Sequence, residues 1–245
     1  MLIPILVLLA SFIPSLGMFF FLRKNRDDKE YHKACGSLLL KGVLCAVGIT
    51  LVDLVLKIFW GITGIGDKNW LIDALFHDFI VYAGAEEGVK FYFAKKSIKK
   101  ELTEVSRLDI ISFMTLAAMG FGLFEAVIYA VQTNIPQIIV RGILMGHVGY
   151  GLLMGLVYSK GVAEKKSIFK VLALLLPILV HGLYDFSLND KLPELFMYMA
   201  VLNAIATTVF IIVMIFFIRK KRKDPAYTSF ISPDGNTKGE DAELS

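Results

Sequence analysis

Residues 85–90 read Ala85-Glu86-Glu87-Gly88-Val89-Lys90 and place two adjacent carboxylates and one ammonium in an otherwise apolar stretch. The surrounding residues 71–94 are long enough to cross a bilayer, for which about 20 residues are needed. A charged side chain at the centre of such a helix costs about 2.5–3.5 kcal/mol on insertion scales. Charges in this position usually face a bundle interior or a wet cavity and usually have a function. The stretch therefore predicts a central, functional helix in a membrane bundle.

The composition supports the same fold. Of the 245 residues, 56% are hydrophobic, against about 45–50% in soluble domains, and the mean hydropathy is +0.64. We predict an all-α, polytopic transmembrane helix bundle over residues 1–222, with about seven spans and a catalytic core at about 70–190. The predicted helices cover residues 1–22, 42–62, 71–94, 110–131, 138–158, 171–188 and 195–218. Residues 223–245 are rich in Ser, Asp, Gly, Pro and Glu, which predicts a disordered cytoplasmic tail.

Basic residues alternate between successive connections. The connections 23–41, 95–109 and 159–170 carry many Lys and Arg residues, whereas the connections between them carry only Lys68 and Lys191. Because Lys and Arg concentrate in cytoplasmic loops, we predict an outside N-terminus and a cytoplasmic C-terminus in a multi-pass cell-membrane protein. The net charge of +4 comes from these short blocks, so we expect the lipid bilayer, and not nucleic acid, as the partner of the basic residues.

Further polar side chains occur in the later predicted helices. They are Phe121 with Glu125, then His147, then His181 with Asp185. Residues four apart share a helix face, so Asp185 can accept a hydrogen bond from His181. At a rise of about 1.5 Å per residue these positions are compatible with one site that leans toward the outer half of the membrane. We predict that one catalytic site is formed by Glu86, Glu87, Lys90, Glu125, His147, His181 and Asp185. Arg141 is expected near the outer boundary, with its charge turned to water.

Two functions fit such a cluster, and the first can proceed by either of two mechanisms. Peptide hydrolysis needs a base that activates water, groups that stabilise an oxyanion and a proton donor, and buried glutamates and histidines can supply these. Alternatively Glu125, His147 and His181 hold a divalent metal such as zinc and an activated water. No His-Glu-x-x-His or Gly-x-Ser-x-Gly motif decides between the two. Carboxylates and histidines also form proton relays, so the rival function is a proton-coupled transporter or channel, although no inverted repeat is visible.

The ordered motifs resemble one protein family. Glu86-Glu87-x-x-Lys90, Phe121-x-x-x-Glu125, His147 in a glycine-rich helix and His181-x-x-x-Asp185 are similar to the PrsW family of intramembrane proteases. The resemblance covers about residues 70–190. It implies a bacterial membrane protease that makes the first, extracytoplasmic-side (site-1) cut in a single-pass anti-sigma factor and thereby frees a sigma factor in a stress response.

A more distant resemblance is to the CAAX prenyl endopeptidases. By that analogy Glu86 activates water, Glu125 takes the position of an assisting histidine, and His181 with Asp185 takes the oxyanion positions. The chain departs from that pattern because Lys90 comes one residue earlier than the expected arginine. Glu125 and Asp185 also replace a histidine and an asparagine. An aspartate does not donate a hydrogen bond unless it is protonated. The analogy therefore assigns the position of Asp185 more directly than its role at the oxyanion.

Overall fold

The computed structural model describes residues 2–66, 69–101 and 104–231 of the chain. This part of the chain is helical, with one isolated bridge and no strand. The helices are α1 (Leu2–Arg23), α2 (Lys29–Thr63), α3 (Trp70–Phe76), α4 (Ala83–Glu101), α5 (Arg107–Val131), α6 (Ile135–Ile138), α7 (Gly146–Ala163), α8 (Ser167–Ser187), α9 (Leu195–Lys221) and α10 (Pro225–Thr228). Two π-helical segments, His77–Tyr82 and Ile139–Ile143, follow α3 and α6.

Six helical stretches in the described residues are long and apolar enough to cross a membrane. They are α1, α2, α5, the stretch Ile135–Ala163, α8 and α9. A seventh long stretch, Trp70–Glu101, runs through α3, the first π segment and α4 and contains the charged residues 85–90. It packs inside the bundle against α2, α5 and α8. The predicted all-α polytopic bundle is therefore confirmed, and its most charged helix is enclosed by more apolar ones.

The centre of the bundle is α5, which packs against α1, α2, α4 and α7 and is buried along most of its length. Ser106 and Asp109 form a reciprocal capping box at its start, which satisfies backbone N–H groups that a helix N-terminus leaves free.

Two glycines bring α7 against α5. A Cβ added to Gly155 would lie 2.7 Å from Ile111 Cα, and one added to Gly151 would lie 2.9 Å from Thr115 Cα. Real Cβ atoms do not approach backbone atoms so closely, so the two helices meet at this distance only because both positions lack a side chain. Such close packing at small residues is typical of membrane helices, and here it brings α5 and α7 side by side.

Two predicted helices have different bounds in the structure. The second begins at Lys29 and not at residue 42, because the Asp28 side chain caps it by accepting from the Tyr31 amide, 2.7 Å away. The predicted helix 138–158 is interrupted by the π segment Ile139–Ile143 and by Met145, whose φ of 53° is left-handed. Such irregular backbone inside a membrane helix usually marks a functional site.

Residues 223–231 differ from the predicted tail, because they form α10 and a bridge between Ile231 and Val105. Asp224 caps α10 by accepting from the Ala226 amide and pairs with Lys221 at 2.6 Å. The hydrogen bond from Lys221 holds the pKa of Asp224 below its ordinary value. An aspartate followed by proline is a helix-start signal that the composition of the tail concealed. Residues 232–245 of the predicted tail lie outside the described residues.

Candidate active site

The charged residues of α4 divide into a neutralised pair and a free carboxylate. The Lys90 ammonium donates to Glu87 Oε1 at 2.6 Å and lies 3.7 Å from Glu86 Oε2. It also lies 4.2 Å from the centre of the Phe121 ring, a favourable position for a cation over an aromatic face. All three charged side chains are buried. Oε2 of both Glu86 and Glu87 has no hydrogen-bond partner among the described residues, but Glu87 is held through Oε1, so Glu86 is the carboxylate left free to act.

His147 lies in the first turn of α7 and connects α4 to α5. Its Nδ1 is 3.0 Å from Lys90 Nζ, and its Nε2 contacts the Glu125 carboxylate. An ammonium can only donate, so His147 Nδ1 accepts a hydrogen bond from Lys90. The ring proton is therefore on Nε2, which donates a hydrogen bond to Glu125. Gly122 faces the same ring, and a Cβ there would lie 3.0 Å from His147 Cδ2. The glycine therefore makes room for the imidazole beside α5.

His181 on α8 faces the other side of the cluster. Its Nδ1 is 2.9 Å from Glu87 Oε1, and its Nε2 is 3.1 Å from Asp185 Oδ2. The Tyr150 ring stacks on the imidazole with centroids 4.9 Å apart. Glu87 accepts the Nδ1 proton and so directs Nε2 into the cluster, as a carboxylate behind a metal-binding or catalytic histidine does. The predicted proximity of His181 and Asp185 is also present.

Arg141 is a site residue that the sequence analysis missed. Its guanidinium is buried, and Nη1 lies 3.1 Å from Nε2 of both His147 and His181. Nη2 donates to Asp185 Oδ1 at 3.0 Å. The expectation that Arg141 turns to water is wrong, because the π segment directs the side chain inward. The available signal was an arginine within a predicted membrane helix, which by the reasoning applied to Glu86 belongs inside the bundle.

All seven predicted site residues meet in one buried network, to which Arg141 adds a second cation. The members come from four separate regions of the chain: α4, α5, the stretch Ile139–Gly146 with the start of α7, and α8. They are Glu86, Glu87, Lys90, Glu125, Arg141, His147, His181 and Asp185.

The donors in this network fit a divalent cation. Glu86, His147 and His181 each offer one ligand atom, and these atoms lie within 4.8 Å of one another. Three protein donors with an open position are typical of catalytic zinc. The four carboxylates of the network face two side-chain cations, so neutral imidazoles leave an excess of two negative charges. Such an excess is costly when it is buried, and either bound protons or one divalent cation can balance it.

This donor set differs in one residue from the predicted one. Glu86 takes the place that we predicted for Glu125, whose carboxylate is held by His147 Nε2. The reason lies in the tertiary contacts, because Glu87 is held by Lys90 and by His181 Nδ1, whereas Glu86 Oε2 lies 4.0 Å from His181 Nε2 without a hydrogen bond.

A polar cavity of about 280 Å³ adjoins the network. Glu86, Glu125, Arg141 and Asp185 form its inner wall. Its rim includes Gln137 and Leu188, which adjoin the two connections that are poor in Lys and Arg. The cavity has room for water beside the free carboxylate of Glu86.

The chain matches known proteins over most of its length. Residues 33–218 match the sequence model of a family described as PrsW family intramembrane metalloprotease. Protease PrsW of Clostridioides difficile (strain 630) is 29% identical over 193 residues, which cover 74% of this chain and 78% of that protein. Protease PrsW of Bacillus subtilis (strain 168) is 24% identical over 190 residues, which cover 75% and 83%. No solved structure matches the chain significantly.

The fold thus defines a multi-pass membrane protein. Its site is a buried cluster of carboxylates and imidazoles, as is typical of hydrolases. The chain belongs to the PrsW family of intramembrane proteases. The family description as a metalloprotease agrees with the donor set of Glu86, His147 and His181.

Proposed function

We propose that this protease makes the extracytoplasmic-side, site-1 cut in a single-pass anti-sigma factor and so frees a sigma factor. The observation that carries the proposal is the convergence of the four motifs on one buried site beside a polar cavity. A single-pass substrate would present the segment just outside its membrane helix, and this segment would reach the buried site from one side of the membrane.

The side of the cut follows from the loop charges and the position of the cavity. Gln137 and Leu188 on the cavity rim adjoin the connections that carry few Lys or Arg residues. Under the positive-inside rule these connections would lie outside the cell and the C-terminus in the cytoplasm, which supports a cut on the extracytoplasmic side. A substrate would therefore enter the site from its extracytoplasmic juxtamembrane segment.

The side chains divide the chemistry of hydrolysis among them. Glu86 presents a free carboxylate oxygen to the cavity and accepts the proton of the attacking water. The proton that Glu86 takes from water is then available for the leaving amine, and Glu125 holds the His147 ring in place. Arg141 lines the cavity with N–H donors that stabilise negative charge on the substrate carbonyl oxygen. A divalent cation held by Glu86, His147 and His181 would polarise water and carbonyl.

Two residues keep this arrangement in place and do not touch the substrate. Lys90 neutralises Glu87, and Glu87 in turn fixes the ring of His181. Both are positioning residues by this account.

The test is co-expression of the full chain with tagged single-pass anti-sigma factors from its own genome. The variants Glu86→Gln, Glu87→Gln and His181→Ala are expected to remove the shortened fragment without lowering the amount of protease. The matched controls are Glu164→Gln and His32→Ala, which change the same residue types outside the network. A fragment that persists equally in all site variants would refute the assignment, as would a fragment that disappears in the control variants.

A further inference from the structure

The Arg141 guanidinium lies at the point on which both imidazoles converge. Nη1 is 3.1 Å from His147 Nε2 and 3.1 Å from His181 Nε2, and it is 3.7 Å from Glu125 Oε2. These two Nε2 atoms are the imidazole atoms that face the cavity side of the cluster. A cation bound at both Nε2 atoms and by Glu86 would need the same space and would displace the proton of His147 Nε2, and two positive charges cannot share that space.

The surroundings of Arg141 offer its guanidinium a second position, beside the cavity. Its second nitrogen, Nη2, is already 3.0 Å from Asp185 Oδ1, and the side chain forms part of the wall of the 280 Å³ cavity. A turn of the guanidinium toward the cavity would move Nη1 away from the two imidazoles and would leave Nη2 beside Asp185. The guanidinium therefore keeps a carboxylate partner in either position, and no buried charge is left unpaired.

The backbone around Arg141 differs from that of an ordinary helix. The π segment Ile139–Ile143 carries the arginine, and the left-handed Met145 lies between it and His147. Arg141 and His147 are thus on separate helical pieces whose relative position is not fixed by a continuous set of helical hydrogen bonds.

We propose that Arg141 and a divalent cation compete for the position between His147 and His181, and that cation binding turns Arg141 into the cavity toward the substrate. The exchange deepens the proposed function, because it couples the filling of the site to the delivery of an oxyanion donor. It rests on that function only in treating the site as metal-dependent.

The first experiment measures Zn²⁺ affinity of the purified full-length chain in detergent, after removal of metal by a chelator, with a chromophoric zinc indicator. Arg141→Gln removes the competitor and is expected to bind Zn²⁺ about tenfold or more tightly than the wild type, the size of one hydrogen bond to a charged group. Arg222→Gln is the matched control, because Arg222 bonds to Asn25 and Phe21 at the other end of α5. It is expected to leave the affinity unchanged.

A second pair of variants separates occupation of the position from charge alone. Arg141→Lys keeps the positive charge with a shorter reach, so it is expected to bind Zn²⁺ more tightly than the wild type. His181→Ala is expected to lose binding, which shows that the indicator reports this site. The proposal is overturned if Arg141→Gln binds no more tightly than the wild type, if Arg141→Lys is unchanged, or if His181→Ala binds as the wild type does.

Thermal unfolding gives a readout that does not depend on catalysis. With chelator present, Arg141→Gln is expected to melt below the wild type because Glu125 and Asp185 lose their counter-charge. Added Zn²⁺ is expected to raise its melting temperature more than that of the wild type. Failure of this exchange together with intact, Glu86-dependent cleavage would refute the exchange and leave the protease assignment in place.

Discussion

Replacement of Lys90 by methionine is the sharpest test of how the charged helix is held in the bundle. The ammonium is 1% exposed and has four neighbours: Glu87 at 2.6 Å, His147 Nδ1 at 3.0 Å, Glu86 at 3.7 Å and the Phe121 ring at 4.2 Å. Methionine has a similar length and fills the same space, so the change removes charge and hydrogen bonds but little volume.

The expected loss of stability follows from the burial of the pair. Removal of one partner of a buried ion pair costs about 3–5 kcal/mol, because the other charge is left uncompensated. Loss of the cation over the Phe121 ring adds about 0.5–2 kcal/mol. The Lys90→Met variant should therefore lose at least about 3 kcal/mol of unfolding free energy. The double variant Glu87→Gln with Lys90→Met removes both charges and should recover a large part of that loss.

The assay is unfolding in mixed micelles, followed by the fluorescence of Trp60 and Trp70. The matched control is Lys160→Met, because Lys160 is 46% exposed and pairs with Glu164 at 3.8 Å, a surface pair worth about 0–1 kcal/mol. The reasoning would be wrong if Lys90→Met cost no more than Lys160→Met. It would also be wrong if the double variant were less stable than the single one.

Three further outcomes are expected. Gly155→Val should lower both stability and cleavage, since a Cβ there would lie 2.7 Å from Ile111 Cα and overpacking costs about 1–3 kcal/mol. The matched control is Gly48→Val, because nothing lies within 4 Å of the added Cβ. It should change neither property in the same unfolding and cleavage assays. Asn203→Leu should cost about 0.6–1.7 kcal/mol of unfolding free energy by removing the 2.9 Å bond to Val180 O between α9 and α8. Chelator treatment of the purified protease should abolish cleavage and Zn²⁺ should restore it, and unchanged cleavage after exhaustive chelation would contradict the metal-dependent account.

Much of the fold and most of the site were readable from the sequence, because the relevant signals are local. Glu86 and Lys90 share a helix face, so their meeting follows from the repeat of the helix. A membrane-spanning helix that carries six or more polar side chains must also lie inside the bundle, because lipid cannot solvate those side chains. These two arguments place α4 in the bundle without any knowledge of its neighbours.

An arginine within a predicted membrane helix signalled burial, but the contacts of Arg141 with His147, His181 and Asp185 were not readable, because they depend on a break in the helix. A regular helix through residues 138–158 would place Arg141 at a membrane boundary, where long basic side chains turn to water. The π segment and the left-handed Met145 redirect it. The residue types do not predict these conformations, because valine, as at Val140, and methionine, as at Met145, also adopt ordinary helices without strain.

The choice between Glu86 and Glu125 as the third donor was also beyond the sequence. Both carboxylates are one helical turn from a partner in the same helix, and both face the interior. The decision is made by tertiary contacts: His147 holds Glu125, whereas Glu86 Oε2 keeps no hydrogen-bond partner in the described part of the chain. Contacts of this kind join residues that are 22 or more positions apart, and helix periodicity carries no information about them.

The most direct test of the central claim uses the purified chain and a purified single-pass anti-sigma factor reconstituted together in vesicles, with no other protease present. Mass spectrometry of the products would locate the cut. The account predicts one new terminus in the extracytoplasmic juxtamembrane segment of the substrate, formed by the wild type and by Glu164→Gln but not by Glu86→Gln. Equal cleavage by the wild type and Glu86→Gln, or a cut on the cytoplasmic side, would contradict it.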